Sequence, residues 1–113
     1  MTAREGTVFD PKNPEEVRQV IKMLFQHDIL SGANLSGADL RHANLERAKL
    51  EGAHLYGASL YGANLERANL ERAYLSGANL RDAILFCADL RGADLEGAKI
   101  TPKQLAEIVI VDE

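Results

Sequence analysis

The sequence predicts an all-β solenoid in which residues 31–100 coil and turn a corner once in every pentad. Leucine stands at every fifth position from Leu30 to Leu95, and Ile100 takes the next step. Alanine stands two positions earlier in all fourteen pentads of this segment. Glycine occupies eight of the fourteen positions that lie two after the leucine column. Columns of this regularity indicate one structural unit repeated without interruption.

A period of five fits neither an α-helix nor a flat strand. On a helix one pentad advances about 500°, so the leucines would scatter around the cylinder. On a strand an odd period sends successive leucines to opposite faces. Burying a leucine contributes about 1.5–3 kcal/mol, which favours a fold that turns every leucine inward. Alanine and leucine then face the interior, the residues flanking leucine face outward, and the glycine-rich position is a corner with positive φ.

The corner column indicates that the coil has four sides. When every fourth pentad is aligned, the corners separate into one column of glycine only and another without glycine. The first column is Gly37, Gly57, Gly77 and Gly97, and the second is Arg47, Arg67 and Cys87. A three-sided coil, which would align every third pentad, mixes these classes, so four pentads per coil are favoured.

The repeat units resemble those of the pentapeptide-repeat family, whose motif is A(D/N)LxX. The matching units include ANLSG, ADLRH, ANLER, ANLRD and ADLRG, and the resemblance covers residues 31–100. It implies a right-handed, four-sided β-helix of about three and a half coils, filled by leucine and the preceding small residue. The departures from the Asp/Asn position are Lys49, His54, Ser59, Tyr74, Ile84 and Lys99. All six lie outside the predicted core, so they bear on the surface and not on the fold.

Short α-helical caps are predicted at both ends, because a solenoid otherwise exposes unpaired backbone and apolar core. Residues 1–30 form the predicted N-terminal cap. Its helix, at about 14–27, follows the capping residue Asn13 and carries an apolar stripe at helical spacing.

Residues 101–113 form the predicted C-terminal cap and tail. Thr101 followed by Pro102 repeats the helix-start pattern, so we expect a helix from 102 to about 108. We expect Leu105 and Ile108 to close this end of the rod. The three segments together form a single domain.

The pentad at 83–87 has apolar residues, Ile84 and Phe86, at its outward positions. The favoured interpretation is that the C-terminal helix folds over them, because exposed apolar patches usually have a partner and a cap is near. The alternative is a partner interface or a homodimer through the C-terminal end. Cys87 is interpreted as a packed small hydrophobe within this candidate interface.

Tyrosines form a second candidate interface. Tyr61 falls between Arg41 and Arg81 in one column, and His54 lies above Tyr74 in another. Stacking at strand spacing, through cation–π and ring contacts, is the favoured interpretation. A docking patch that also includes Tyr56 is the alternative, since tyrosines are enriched at binding hot spots.

The composition argues against several classes of function. The net charge of −4 argues against direct binding of nucleic acid or anionic membrane, and the single cysteine excludes an internal disulfide. No membrane span or signal peptide is indicated, so a cytoplasmic location is expected. The three histidines share no column, and no nucleophile, phosphate loop or carboxylate pair is placed for chemistry. No catalytic, cofactor-binding or metal-binding residues are therefore predicted.

The predicted function is a non-catalytic structural module that binds another protein through its outer surface. The resemblance offers an alternative, because some family members modulate DNA gyrase by mimicking duplex DNA. The repeat region has 8 basic and 9 acidic residues, whereas a DNA mimic of this short length would present roughly ten negative charges. The alternative is therefore disfavoured, and a supercoiling assay with excess protein tests it.

Overall fold

The computed structural model describes residues 13, 15 and 30–108, and its repeat region forms a right-handed, four-sided β-helix. Each pentad supplies one bridge residue and one two-residue turn. Ten isolated parallel bridges join positions four pentads apart, from Asn34↔His54 to Asn79↔Lys99. Four pentads therefore make one coil, which confirms the four sides predicted from the corner columns.

Hydrogen bonds between coils follow one rule along the rod. The amide of Leu35 donates to the carbonyl of His54, in the next coil, at 2.7 Å. The amide of His54 donates back to the carbonyl of Ala33, in the preceding coil, at 2.8 Å. Each coil thus supplies hydrogen-bond partners to the backbone of the preceding coil. The last coil has no described coil after it, so its backbone needs another source of partners.

Leucine and alanine fill the interior as predicted. Every leucine from Leu30 to Leu85 is no more than 1% exposed, and Leu90 is 5% exposed. Ala93, Leu95 and Ala98, in the last coil, are only partly buried against this core. The inward side chains are therefore buried along most of the rod and become partly exposed in its last coil.

All fourteen corners have positive φ, between 59° and 72°. Eight are glycine and six are not. Because φ is positive only at the second central residue, the corners have the sign pattern of a type II turn. A non-glycine residue in this conformation costs roughly 1–2 kcal/mol, so the six substituted corners store strain. These six are His42, Arg47, Arg67, Arg72, Asp82 and Cys87.

We expect Arg47→Gly to raise the free energy of unfolding by about 1 kcal/mol, because it relieves the left-handed strain. The extra entropy that glycine loses on folding offsets part of this gain. Arg47 has φ of 62° and is exposed, so the substitution removes no packed side chain. Urea unfolding measures the change. The matched control is Gly57→Ala, where an added Cβ meets nothing within 4 Å and should lower stability. A less stable Arg47→Gly would contradict the strain argument.

The Asp/Asn column has a structural role at the turns. Eight of its side chains accept a hydrogen bond from the amide two positions later, as Asn64 Oδ1 does from Glu66 at 3.0 Å. The others are Asn34, Asp39, Asn44, Asn69, Asn79, Asp89 and Asp94. These bonds satisfy an amide that points away from the neighbouring coils.

Helix α1, Pro102–Glu107, closes the C-terminal end, starting at the residue predicted and stopping just short of the predicted end. Thr101 and Gln104 form a capping box at its start. The prediction that Leu105 closes this end of the rod is wrong, since the residue is 37% exposed. The capping box turns Gln104 inward instead, and Ile108, one turn later, lies against the core.

Except for Glu15, the predicted N-terminal helix at about 14–27 lies outside the described residues, as does the tail at 109–113. At the described position before this helix, Asn13 Oδ1 accepts a hydrogen bond from the amide of Glu15 at 3.0 Å. This is the bond that an N-capping asparagine makes.

Candidate interaction surfaces

Leucine and alanine fill the interior of the rod, so the candidate functional residues lie on its outer surface. Within residues 30–108 and at 13 and 15, no group of three or more His, Cys, Asp or Glu side chains could hold a metal ion. None of the helices in that same part of the chain is long and apolar enough to cross a bilayer. The outward positions therefore carry the candidate sites.

The first surface is the apolar patch, which we define as Ile84 and Phe86. Each residue is 47% exposed, so the prediction that the C-terminal helix covers them is wrong. The helix lies across the end of the rod and not along this face, because Gln104 anchors it to the carbonyls of Leu80 and Ala83. The patch stays open on the same face as Asn64, which forms a bridge with Ile84.

Phe86 has a neighbour that the sequence reasoning missed. The guanidinium carbon of Arg67 lies 5.9 Å from the centroid of the Phe86 ring, within cation–π distance. The register could have revealed this contact, since corner amides donate to the carbonyl just before the equivalent corner of the next coil. Arg67 bonds Phe86 in this way at 2.9 Å.

Cys87 sits at the corner after the apolar patch and is half-buried. Its amide donates to the carbonyl of Glu107 at 2.8 Å, so the end of α1 lies against this corner. The structure therefore places Cys87 beside the patch, with less exposure than Ile84 or Phe86.

The second surface is the aromatic cluster, which we define as His54, Tyr56 and Tyr74. His54 stacks on Tyr74 with ring centroids 4.7 Å apart, as the column predicts. Tyr56 also stacks on Tyr74, at 5.4 Å, and lies 6.2 Å from His54. The two tyrosines remain 42% and 38% exposed, so the stack orders the rings without removing them from solvent.

Tyr61 lies apart from the aromatic cluster, on the next face of the coil. It meets His42 edge to face, with centroids 5.8 Å apart, and not the arginines predicted as its cation–π partners. Arg41 is held instead by both oxygens of Asp39, at 2.8 and 2.7 Å. A hydrogen bond to Asp82 raises the pKa of the Tyr61 hydroxyl above its ordinary value.

Ion pairs link acidic and basic residues on three faces of the rod. The pairs among the described residues are Asp39–Arg41, Glu66–Arg67 and Asp89–Arg91. In the last pair, hydrogen bonds from the Arg91 guanidinium lower the pKa of the Asp89 carboxyl below its ordinary 3.8. Because this lowering favours the charged carboxylate in the folded state, its contribution to stability is present above the ordinary pKa and is lost as pH falls through the folded value.

We expect Asp89→Asn to reduce the loss of stability on acidification between about pH 5 and pH 2. The effect is modest, because the Arg91 side chain is 46% exposed to solvent. Asparagine keeps the bond to the amide of residue 91, as Asn79 does with Arg81. Urea unfolding across this pH range, compared between wild type and variant, measures the difference. Equal pH slopes would contradict the assignment.

The repeat region is similar to known proteins. The family model described as pentapeptide repeats, with eight copies, matches residues 29–67 and 63–101. A similar solved structure is HetL, a pentapeptide-repeat protein involved in heterocyst differentiation regulation from the cyanobacterium Nostoc sp. strain PCC 7120. The two are 41% identical with a TM-score of 0.59, over 60% of this chain and 29% of HetL. A comparison with curated proteins finds no match.

Two further solved structures are similar in sequence. Rfr23, a pentapeptide-repeat protein from the cyanobacterium Cyanothece 51142, is 43% identical with a TM-score of 0.46, over 60% of this chain and 44% of that one. The protein alr5209 from Nostoc PCC 7120 is 35% identical with a TM-score of 0.45, over 74% of each chain. The chain thus spans less than half the length of HetL and Rfr23.

Proposed function

Because this chain belongs to the pentapeptide-repeat family, whose repeat fold is non-enzymatic, we propose that it is a non-catalytic module that binds another protein through its outer surface. The interior supports this proposal by being occupied: leucine and alanine side chains fill each layer of the rod. A recognition site must then use side chains that point outward.

The apolar patch is the single observation that carries the proposal. The preceding coil has Asn64 and Glu66 at the two positions that Ile84 and Phe86 occupy. The fold therefore accepts polar residues there, and its own stability does not require two exposed apolar side chains. Burying both against a partner would be favourable, at about 25 cal/mol for each Å² of apolar surface removed from water.

We expect the double substitution Ile84→Asn and Phe86→Glu to abolish partner binding while leaving the fold intact. It rebuilds the outward residues of the preceding coil, so the rod should tolerate it. Affinity capture from the native host, with quantitative mass spectrometry, should show a protein recovered at least about tenfold less with the variant, which corresponds to about 1.4 kcal/mol. Arg81→Ala, on another face, is the matched control and should capture as wild type does. Equal recovery by the double variant, or no reproducible partner of wild type, would contradict the proposal.

A second copy of the chain is one candidate for the partner, since a homodimer through the C-terminal end was one of the alternatives that the sequence left open. Sedimentation equilibrium distinguishes it from a different protein. A dimer that dissociates in the double variant would make the patch a homodimer interface. A monomer at all concentrations would exclude a homodimer interface and leave the capture experiment to identify a different protein.

A further inference from the structure

We propose that one face of the rod, the aromatic face, binds an arginine-bearing segment of a partner protein. We define the aromatic face by the outward residues of pentads 33–37, 53–57, 73–77 and 93–97, which stack in register. The inference rests on the proposed function, since it adds a binding surface and a partner chemistry to a protein-binding module.

Stacked aromatic rings supply the first element of this surface. Tyr56 and Tyr74 lie 5.4 Å apart with an interplanar angle of 29°, and His54 stacks on Tyr74 at 24°. The contacts fix the rings relative to one another while both tyrosines stay more than a third exposed. A guanidinium is attracted to such a ring when it lies within about 6 Å of the centroid.

Charge supplies the second element. The aromatic face carries no lysine or arginine, whereas each of the other three faces has both signs of charge along its outward and corner positions. Its two acidic residues are Asp94 and Glu96. Within residues 30–108 neither carboxylate makes an ion pair, unlike those of Asp39, Glu66 and Asp89. The face is therefore complementary to a cation that this part of the chain does not itself provide.

Register joins the two elements. Tyr74 and Asp94 form a parallel bridge, so their strands are about 4.8 Å apart. A guanidinium stacked on the ring of Tyr74 can therefore direct its N–H groups toward the carboxylate on the next strand. Arginine suits this site better than lysine, because its planar group stacks on an aromatic ring and bonds a carboxylate at the same time.

Access to the face is open along one edge. The corner that follows it is glycine in every coil, namely Gly37, Gly57, Gly77 and Gly97. A Cβ built at Gly57 would meet nothing within 4 Å, so no side chain stands between this edge and solvent there. The corner column with Arg47, Arg67 and Cys87, by contrast, is lined by side chains.

Binding of a defined peptide tests the inference. The probe is a fluorescein-labelled peptide of sequence Gly-Ser-Arg-Gly-Arg-Ser-Gly, followed by fluorescence polarisation at low salt. The matched peptide has citrulline in place of both arginines and so lacks the charge while keeping the shape. We expect the arginine peptide to bind and the citrulline peptide to bind at least about fivefold more weakly.

The chain's own repeats provide variants that should fold. Tyr74→Asn and Asp94→Asn introduce the residue found at position 34, where the Asn34 side chain accepts a hydrogen bond from the turn amide of Ser36. We expect each substitution to weaken the binding of the arginine peptide about fivefold or more. The control is Tyr61→Ser, which removes a tyrosine from the neighbouring face and should leave binding unchanged. Circular dichroism checks that each variant keeps the fold.

The outcomes separate this inference from the proposed function. Equal binding of the two peptides, no binding of either, or a loss with Tyr61→Ser equal to that with Tyr74→Asn would overturn the inference. If a captured partner still depends on Ile84 and Phe86 in any of these cases, the proposed function stands without it. Selective loss in Tyr74→Asn and Asp94→Asn supports the inference whatever the capture experiment shows at the apolar patch.

Discussion

Replacing Leu65 with alanine is expected to lower the free energy of unfolding by about 2–5 kcal/mol. Leu65 is 0% exposed and belongs to the same column as Leu45 and Leu85, which are also 0% exposed. Coils above and below hold its neighbours through backbone hydrogen bonds at fixed spacing, so the rod cannot collapse to fill the gap. The variant therefore loses the transfer free energy of the missing carbons and also retains a cavity. Urea unfolding followed by circular dichroism measures the loss.

The same substitution at the end of the rod provides the control. Leu95 is only partly buried, so Leu95→Ala should destabilise the protein less than Leu65→Ala does. Arg81→Ala, at an exposed outward position, should change stability by no more than about 0.5 kcal/mol. If all three variants were equally stable, or if Leu95→Ala were the most damaging, the gradient of packing along the rod would be refuted.

The fold was predictable because the same local choice is made fourteen times. The inward column was predicted from one requirement, that every leucine is buried. A pentad that turned its leucine outward would interrupt the five-residue period. The corner conformation was predictable even at Arg47, where the residue type argues against positive φ, because the glycines in equivalent positions set the geometry. The equivalent positions in other pentads thus predict a conformation that the residue type in one pentad does not.

The surface was less predictable, because outward residues do not repeat. The His54–Tyr74 stack follows from their shared column, since strand spacing alone brings the two rings together. The stacking of Tyr56 on Tyr74 depends on side-chain directions that the columns do not specify. Tyr61 was assigned to arginine partners, although Asp39 competes for Arg41 with two hydrogen bonds.

The C-terminal cap is the clearest case in which the sequence predicted an element but not its side-chain contacts. An apolar pattern suggested that Leu105 would close the rod, because hydrophobic surface at the last coil needs cover. The last coil also leaves backbone carbonyls without partners, and these make the stronger demand when buried. Gln104 meets that demand and is 7% exposed, whereas Leu105 is 37% exposed. The start pattern of the helix was predicted, but the use of its glutamine side chain was not.

Gln104 takes the place of a missing coil. Elsewhere the carbonyl of an alanine accepts from an amide of the next coil, as Ala63 does from Ile84, and in this register the partner of Ala83 is Gln104. The amide of Gln104 is diverted to cap the helix, donating to Thr101 Oγ1 at 3.1 Å. Its side chain substitutes: Nε2 donates to the carbonyl of Ala83 at 3.0 Å and to that of Leu80 at 2.6 Å.

The side-chain oxygen of Gln104 has a second function at the last turn. In eight turns an Asp or Asn side chain accepts from the amide two positions later, but Lys99 occupies that position before Thr101. Gln104 Oε1 accepts from the amide of Thr101 instead, at 2.9 Å. One side chain therefore pairs the carbonyl of Ala83 and the amide of Thr101, and gives the carbonyl of Leu80 a second donor beside the amide of Ala83.

We expect Gln104→Met to lower the free energy of unfolding by about 2–4 kcal/mol, because it keeps the side-chain volume but leaves the carbonyl of Ala83 and the amide of Thr101 without their partners. Lys103→Met is the matched control, at an exposed position in the same helical turn, and should change stability by no more than about 0.5 kcal/mol. Urea unfolding measures both.

Hydrogen exchange then separates a loss of the cap from a general weakening of the rod. Gln104→Met should speed exchange of the Cys87 amide, whose partner is the carbonyl of Glu107 at the end of α1. The amide of Leu45, two coils away, should lose no more protection than the fall in the global free energy of unfolding accounts for, because each coil bonds only its neighbours. Uniform loss of protection at both amides would show that Gln104 stabilises the whole rod cooperatively, and unchanged exchange at Cys87 would show that the apolar contacts of Ile108 suffice to hold the cap.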